Sequence, residues 1–260
     1  QPMQTHYAFT CGGVDLKVTF TAPLFMEDLK LLSRPVNYLT YSVAARDGRE
    51  HEVEVYFEAS PRWALDQPYQ QSASKGYEAD GLLYLKSGSK EQNILAKQGD
   101  DLRIDWGYFY MVAGKENTAY SVGNSTELRK NFVNGTLNSA SLEGEDSNGN
   151  MALVRSHGKV KNVTDKIMLG YDDIYSIQYF GTNLRPYWNS KGDRTIEAEM
   201  LAAYNEYDKL LARCYAFDKK LMEDASAAGG KEYAELCALA YRQSIAAHKL
   251  VEAPNGDLLW

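Results

Sequence analysis

The stretch YDDIYSIQYFGTNLRPYW, residues 171–188, separates two parts of the sequence that have different periodicities. It opens as an apolar, aromatic-rich run that includes Ile177 and Phe180, which is typical of a strand. It then reaches Gly181 and Pro186, which interrupt regular structure. We therefore interpret this stretch as the last strand of a β-domain, continuing into a strap that leads to helices.

The part before this stretch has the pattern of antiparallel strands. In 14–21 apolar and polar residues alternate, which indicates a strand with one buried face. The clearest turn signal is Asp47-Gly48, which lies between the strand-like runs 36–45 and 51–59 and predicts a hairpin. Short strands separated by turn residues favour an antiparallel β-sandwich over alternating α/β units.

The part after this stretch has a helical period. From Ile196 to Leu221 apolar residues recur at steps of three and four, and Asp193 is a candidate N-cap. Gly229-Gly230 ends this helix, and a second helix is predicted from about 231 to 251. The second helix is apolar nearly all round, which is typical of a helix buried on most sides. Because this sequence offers it few neighbours, we expect the chain to be truncated.

These patterns predict a mainly β protein with C-terminal helices, namely an antiparallel β-sandwich followed by two long α-helices. The predicted domains are a sandwich at 1–182, a linker strap at 183–192 and a helical segment at 193–260.

The amino-acid composition limits the kinds of molecule that the protein is expected to bind. The 260 residues include 28 basic and 35 acidic ones, a net charge of −7, which argues against nucleic acid or an anionic membrane surface. No run of about 18 apolar residues occurs, so no membrane span is predicted. No basic segment followed by an apolar one opens the chain, so we expect any signal peptide to have been removed or to lie upstream of these residues.

Motifs for cofactors, metals and nucleophilic catalysis are missing from the sequence. The three cysteines, Cys11, Cys214 and Cys237, have no C-x-x-C spacing, and the four histidines are not spaced as metal ligands. We therefore expect no cofactor and no metal, and the catalytic residues stay unknown. A Cys214–Cys237 disulfide requires closely paired helices, which the sequence does not decide.

The predicted second helix holds the candidate substrate-binding residues. Arg242 and Lys249 are seven residues apart, so they share a face of a continuous helix, with Gln243 beside it. A cationic face of this kind can hold a substrate carboxylate. The structural alternative is that both side chains reach solvent or pair with acids of a neighbouring element.

Aromatic residues offer a second candidate surface. Trp63, Trp106 and Trp188, together with the 19 tyrosines, provide rings on which a sugar can stack. The alternative is a core position, which is the more common place for aromatic residues in strands.

Several long segments resemble the glutaminase A family in the same order along the chain. They include LRIDWGYFY at 102–110, YDDIYSIQYFG at 171–181 and GGKEYAELCALAYRQSIAAHKLV at 229–251. These proteins are large, secreted or periplasmic, and found in fungi and Bacteroides-type bacteria. The resemblance covers nearly the whole chain and implies an internal fragment with the β-sandwich and the start of an (α/α) toroid. It also implies an extracellular or periplasmic location.

The activity implied by the resemblance is hydrolysis of L-glutamine to L-glutamate and ammonia by the full-length parent. No catalytic residue of the family can be carried onto this chain, so we expect the fragment alone to be accessory and inactive. Its exposed helices are expected to favour self-association.

Two other functions remain open on the sequence. A sandwich joined by a strap to an (α/α) toroid also occurs in carbohydrate-processing enzymes, and fold alone does not choose the chemistry. The substrate of the parent is then a glycan in place of glutamine. The sandwich alone is also compatible with a carbohydrate-binding or assembly module.

Overall fold

A computed structural model describes residues 1–100, 103–137, 149–246 and 248–260. The strands within these ranges are β1 (Gln4–Cys11), β2 (Val14–Thr21), β3 (Val36–Ala45), β4 (His51–Ala59), β5 (Ser72–Ala79), β6 (Leu82–Ser89), β7 (Tyr108–Gly114), β8 (Thr118–Gly123), β9 (Asn150–Val160), β10 (Asn162–Asp172), β11 (Ile177–Tyr179), β12 (Thr182–Leu184), β13 (Val251–Glu252) and β14 (Leu258–Leu259). The α-helices are α1 (Leu29–Ser33), α2 (Ser125–Val133) and α3 (Ile196–Ala246), and short 3₁₀ turns occupy Pro61–Ala64 and Tyr187–Asn189. The predicted class, a mainly antiparallel β protein with a C-terminal helical part, is confirmed.

The chain forms two compact units. Unit 1 comprises Gln1–Phe9, Lys17–Tyr41 and Tyr175–Trp260, and unit 2 comprises Thr10–Leu16 and Ser42–Ile174. The predicted domain boundaries at 182/183 and 192/193 stay predictions.

Unit 2 is the sandwich. In its larger sheet β10, β7, β6 and β5 lie side by side in that order, and each pair is antiparallel. In its smaller sheet β9 pairs antiparallel with β4 on one side and β8 on the other. Because β5 contacts both β8 and β9, the two sheets face each other.

The core of unit 2 consists of large apolar side chains from both sheets. Leu85 pairs in register with Met111, and both are fully buried, as is Leu153 of the facing sheet. Burying one such side chain contributes about 1.5–3 kcal/mol. The sandwich therefore gains its stability from strands that are apolar where the sheets meet.

The predicted hairpin at Asp47-Gly48 is wrong. β3 is a neighbour of β2, whereas β4 pairs with β9, so the turn joins strands of different sheets. The dipeptide still makes a turn, with Gly48 at φ +72° and the Asp47 carboxylate accepting from the Arg49 amide. Turn residues fix the local backbone, but they do not choose which strand the chain pairs with next.

A second Asp-Gly pair forms a hairpin that was not predicted. Asp80 and Gly81 have φ +50° and +77°, the two positive values that a type I′ turn needs, and they join β5 to β6. The polar composition of residues 63–75 and their Pro68 favour a loop, which is wrong from Ser72 onward, where β5 begins. The Asp80-Gly81 dipeptide is a turn signal in the sequence, and it indicates a strand on either side, of which β5 is the first.

Unit 1 contains α3, which has two arms separated at Gly230. Gly230 has φ +82° and ψ −175°, which is not helical, so the predicted break is confirmed. The first arm begins at Ile196 with Thr195 as its cap, since the Thr195 hydroxyl accepts from the Ala198 amide. The predicted cap Asp193 lies just before this position.

The second arm ends earlier than predicted. α3 stops at Ala246, and the prediction of a helix to Val251 is wrong. Val251 instead pairs with Leu259 in a two-stranded ribbon, and the Leu250 carbonyl accepts from the Tyr187 amide. These backbone partners offer the C-terminal residues an alternative to the helix.

The dividing stretch is more segmented than predicted. β10 ends at Asp172, whose carboxylate accepts from the Ile174 amide in a turn. β11 and β12 then form a small hairpin around Phe180 and Gly181, which both have positive φ. In the strap that follows, Trp188 is buried within unit 1.

Candidate functional site: a charged cleft beside α3

A cleft of about 360 Å³ lies in unit 1 between α1 and the first arm of α3. The arm contributes residues at positions 199, 202, 206, 209 and 213, which are spaced by three or four and therefore share one face of the helix, and Leu210 at the edge of that face. α1 lies opposite this face, and its N-cap is Asp28, whose carboxylate accepts from the Leu31 amide.

Three arginines of the cleft form ion pairs with carboxylates. Arg34 Nη1 lies 3.1 Å from Glu206 Oε2, and Arg194 Nη2 lies 2.8 Å from Glu199 Oε1. The third pair is Arg213 Nη1 with Asp28 Oδ2 at 3.2 Å. The pairs fasten the polar face of α3 to α1 and to the residues that precede the helix.

The cleft carries a net positive charge. Its lining has five basic residues, since Lys30 and Lys209 add to the three arginines, and three acidic ones. Both lysines are exposed, so their ammonium groups are accessible to a ligand. A positive cleft that also contains carboxylates has groups of both signs, as a zwitterionic ligand requires.

Glu199 is the most buried acid of the cleft. Its side chain is 4% exposed, and within the described residues Oε1 has no hydrogen bond of acceptable geometry, although Arg194 is near. A buried carboxylate without full hydrogen bonding is costly, and the ion pair with Arg194 offsets part of that cost.

The described lining of the cleft is better suited to binding a ligand than to nucleophilic attack. Among the described residues that line it, none carries a hydroxyl, a thiol or an imidazole. Lysine and carboxylate side chains can also act as nucleophiles, but the three carboxylates of this cleft are held in ion pairs with arginines. The arrangement therefore favours recognition of a charged ligand.

The structure separates the three residues proposed from the sequence. Arg242 lies in α3, half-buried, and its Nη1 donates to Thr5 Oγ1 at 2.7 Å. Gln243 is exposed on the same helix. Lys249 lies beyond the end of α3, so the shared helix face from which the pair was inferred is wrong. Their role in substrate binding stays a prediction.

Near Arg242 a buried acid was not anticipated. Asp218 is fully buried in α3, and its Oδ1 accepts from the Met3 amide at 2.8 Å. Within the described residues its Oδ2 has no hydrogen-bond partner. Burial raises the pKa of the Asp218 carboxyl, and the Met3 hydrogen bond and the Arg242 charge oppose that change.

We expect Asp218→Asn to make the protein more stable at neutral pH than the unchanged chain. The unfolded chain loses its Asp218 proton near its usual pKa of about 3.9, whereas the folded protein retains it to higher pH. Stability is therefore full below the unfolded pKa and falls as pH rises through the raised folded pKa. Asn has the shape and the neutral charge of the protonated acid, so the variant does not lose this stability as the pH rises.

The measurement is urea unfolding of both proteins over a pH series. Asp208→Asn is the matched control, because Asp208 lies on the same helix but is exposed. The prediction fails when the gain from Asp218→Asn does not grow with pH, or when the Asp208 variant shows the same gain.

Disulfides and metal clusters do not occur in the described part of the chain. Cys11, Cys214 and Cys237 are free thiols, so Cys214 and Cys237 are not bridged. No group of three or more His, Cys, Asp or Glu side chains in these ranges is arranged to hold a metal ion. None of the described helices combines the length and the apolar character that a membrane crossing requires.

The charged cleft is not predicted by the apolar period of α3, because its residues lie on the polar face of the helix. Glu199, Glu206, Lys209 and Arg213 recur at helical spacing, and this charged stripe was visible in the sequence. Such a stripe is usually a solvated face. Its cleft arises only because α1 lies against it, which the sequence does not indicate.

Comparison with known proteins gives relatives for nearly the whole chain. Glutaminase A of Aspergillus oryzae is 27% identical over 264 residues, covering 95% of this chain and 37% of that protein. A human-microbiome protein assigned as a kojibiose phosphorylase has a TM-score of 0.36 and 8% identity, covering 92% of this chain and 22% of its own. A family model described as a domain of unknown function, DUF5127, matches residues 3–224, and the chain belongs to that family.

Proposed function

We propose that this chain is part of a glutaminase A-like amidohydrolase, which converts L-glutamine to L-glutamate and ammonia in the extracellular space or in the periplasm. The observation that carries the proposal is the 27% identity to Aspergillus oryzae glutaminase A along 95% of the chain. The chain spans only 37% of that relative, so the activity of a whole protein is part of the proposal.

Within that protein we assign the chain an accessory role, in which the charged cleft binds the amino-acid end of the substrate. Lys30 and Lys209 suit the α-carboxylate, because ammonium groups are strong donors to carboxylates. Glu206 suits the α-ammonium group of glutamine. The volume, about 360 Å³, falls at the small end of typical ligand pockets, which range over about 300–1,000 Å³.

Chemistry is assigned to residues outside this cleft. General-base and nucleophilic catalysis need a group within about 3 Å of the reacting atom. The described lining offers no hydroxyl, thiol or imidazole. Arg242 likewise supplies a positive charge but neither a nucleophile nor a base.

The test measures glutamine binding and turnover by the purified 260-residue chain. We expect L-glutamine to bind in calorimetry and to release no ammonia, while Aspergillus oryzae glutaminase A releases ammonia in the same assay. Lys209→Gln should weaken binding about tenfold, the cost of losing one charge-assisted hydrogen bond. Lys130→Gln, on the exposed face of α2, is the matched control.

Two results separate the parts of the proposal. Turnover by this chain at a rate like that of the relative would overturn the accessory role. Binding that is absent, or unchanged in Lys209→Gln, would remove the cleft from the substrate site.

A second function, carbohydrate binding by unit 2, is favoured by one observation. Trp63 is 69% exposed, although tryptophan is usually well buried, and its ring stacks on Phe109 at 5.6 Å. Tyr69 on the same segment is 80% exposed. A glycan screen run beside the ammonia assay, with Trp63→Ala as the variant, tests this function, and binding that survives Trp63→Ala would exclude this ring. Trp188 is buried and unavailable for stacking.

A further inference from the structure

The charged cleft of unit 1 contains an ion pair, between Arg194 and Glu199, that has no part in holding the amino-acid end of glutamine. Arg194 precedes α3 and Glu199 lies in its first turn, and both residues line the cleft. Arg194 Nη2 lies 2.8 Å from Glu199 Oε1. The Glu199 side chain is 4% exposed and that of Arg194 is 34% exposed, so the pair joins a buried carboxylate to a partly accessible guanidinium.

This pair leaves hydrogen-bonding capacity of both kinds for a ligand. Within the described residues, Glu199 Oε1 is buried and has no hydrogen bond of acceptable geometry. A guanidinium carries five N–H donors, so one contact with Glu199 does not use all those of Arg194. The pair therefore presents an acceptor and a donor side by side, and burial makes the unused acceptor costly.

A carboxamide carries the matching set of groups. Its NH₂ group donates and its carbonyl oxygen accepts, so it can donate to Glu199 and accept from Arg194 at the same time. An ionised carboxylate has acceptors only. It would also place a second negative charge beside Glu199, where the low dielectric of a buried position strengthens the repulsion. The pair therefore favours an amide over the corresponding acid.

The spacing of the acids along α3 fits the length of glutamine. Glu199 and Glu206 are seven residues apart, which places them on one face and about 10.5 Å apart along the helix axis. The amide nitrogen and the α-nitrogen of an extended glutamine are about 6 Å apart, judged from ordinary bond lengths. A hydrogen bond adds about 2.9 Å at each end. The cleft can therefore hold both ends of one glutamine.

We propose that Arg194 and Glu199 are specificity-determining residues of the charged cleft, which bind the side-chain carboxamide of glutamine and reject the carboxylate of glutamate. This role rests on the proposed function, because it assigns the second end of the same ligand. Hydrolysis of glutamine turns the amide into a carboxylate. The same contrast therefore keeps the product from competing with the substrate for the cleft.

The experiment is calorimetric titration of the purified 260-residue chain with L-glutamine and L-glutamate at neutral pH. We expect glutamine to bind at least about tenfold more tightly than glutamate. Glu199→Gln should lower this preference about tenfold, because glutamine loses an ionised acceptor and glutamate no longer meets a like charge. Glu199→Asp keeps the charge and should retain the preference.

Arg194→Gln should act in the opposite direction and raise the preference for glutamine. Without the guanidinium, the charge of Glu199 is less compensated and repels glutamate more strongly. Opposite changes in the two variants separate specificity from structural damage, since a distorted cleft weakens both ligands alike. Glu232→Gln, on the exposed side of the second arm of α3, is the matched control and should leave the preference unchanged.

The outcomes distinguish this role from the proposed function. A chain that binds glutamine, but with the same preference in Glu199→Gln as in the unchanged protein, overturns the specificity role alone. A chain that binds glutamine and glutamate equally well also overturns it. A chain that binds neither ligand overturns the specificity role together with the assignment of the cleft to the substrate.

Discussion

Gly107→Ala should destabilise unit 2 by about 3–5 kcal/mol, the sum of a strained backbone conformation and an overpacked site. Gly107 has φ +75°, and a Cβ there would lie 2.2 Å from the Asp172 carbonyl oxygen and 2.9 Å from the Asp173 Cα. Both are backbone atoms, so no side-chain rotation relieves the clash. The measurement is the free energy of unfolding in urea.

Gly48→Ala is the control that isolates the cost of a positive φ. Gly48 has φ +72°, but no atom lies within 4 Å of an added Cβ. It should cost only about 1–2 kcal/mol, the usual penalty for a left-handed residue. Equal losses in the two variants would mean that β10 and the residue before β7 do not approach each other this closely.

Arg155→Met should cost about 3–5 kcal/mol, because it removes the guanidinium group that balances a largely buried carboxylate. Arg155 Nε and Nη2 lie 2.9 and 2.6 Å from Asp165 Oδ2, and Nη1 donates to the Gly114 carbonyl at 2.7 Å. The two side chains are only 12% and 17% exposed, so solvent screens the pair weakly. Urea unfolding at neutral pH measures the loss.

Two further variants distinguish this pair from general damage to β9. Lys159→Met changes an exposed residue of the same strand and should stay within about 0.5 kcal/mol. Adding Asp165→Asn to Arg155→Met should recover part of the loss, since the uncompensated charge is removed. Strict additivity of the two changes would contradict a direct interaction.

The same arginine affects a neighbouring histidine. Burial lowers the pKa of His157, with Asp165 opposing and Arg155 adding to that shift. Removing the arginine should therefore raise the pKa of His157, because the attraction of Asp165 is no longer balanced. NMR titration of the His157 ring in Arg155→Met measures this pKa. An unchanged pKa would exclude an electrostatic interaction between Arg155 and His157.

The helical part was predictable because its signals are local. Apolar residues at steps of three and four mark the first arm of α3, and Gly229-Gly230 marks its end, as the structure confirms. The end of the second arm was not predictable in this way. It depends on Val251 pairing with Leu259 and on Leu250 accepting from Tyr187, which are contacts between distant residues.

The candidate sites were harder to predict from the sequence than the fold was. Arg242 and Lys249 were selected by spacing along a helix that ends between them. The charged cleft uses residues from separate elements, such as Asp28 before α1 and Arg213 in α3. The sequence does not show which residue of another element will lie opposite a charged surface residue in the folded protein.

The sequence by itself determined the alternating and helical periods, the break at Gly230 and the turns at Asp47-Gly48 and Asp80-Gly81. These depend on side-chain spacing and on the backbone preferences of a few residues. Only the tertiary structure decided that the first of these turns crosses between sheets while the second closes a hairpin. It also decided which charged residues meet. Strand pairing and cleft formation depend on contacts between residues far apart in the chain, for which turn chemistry and periodicity carry no information.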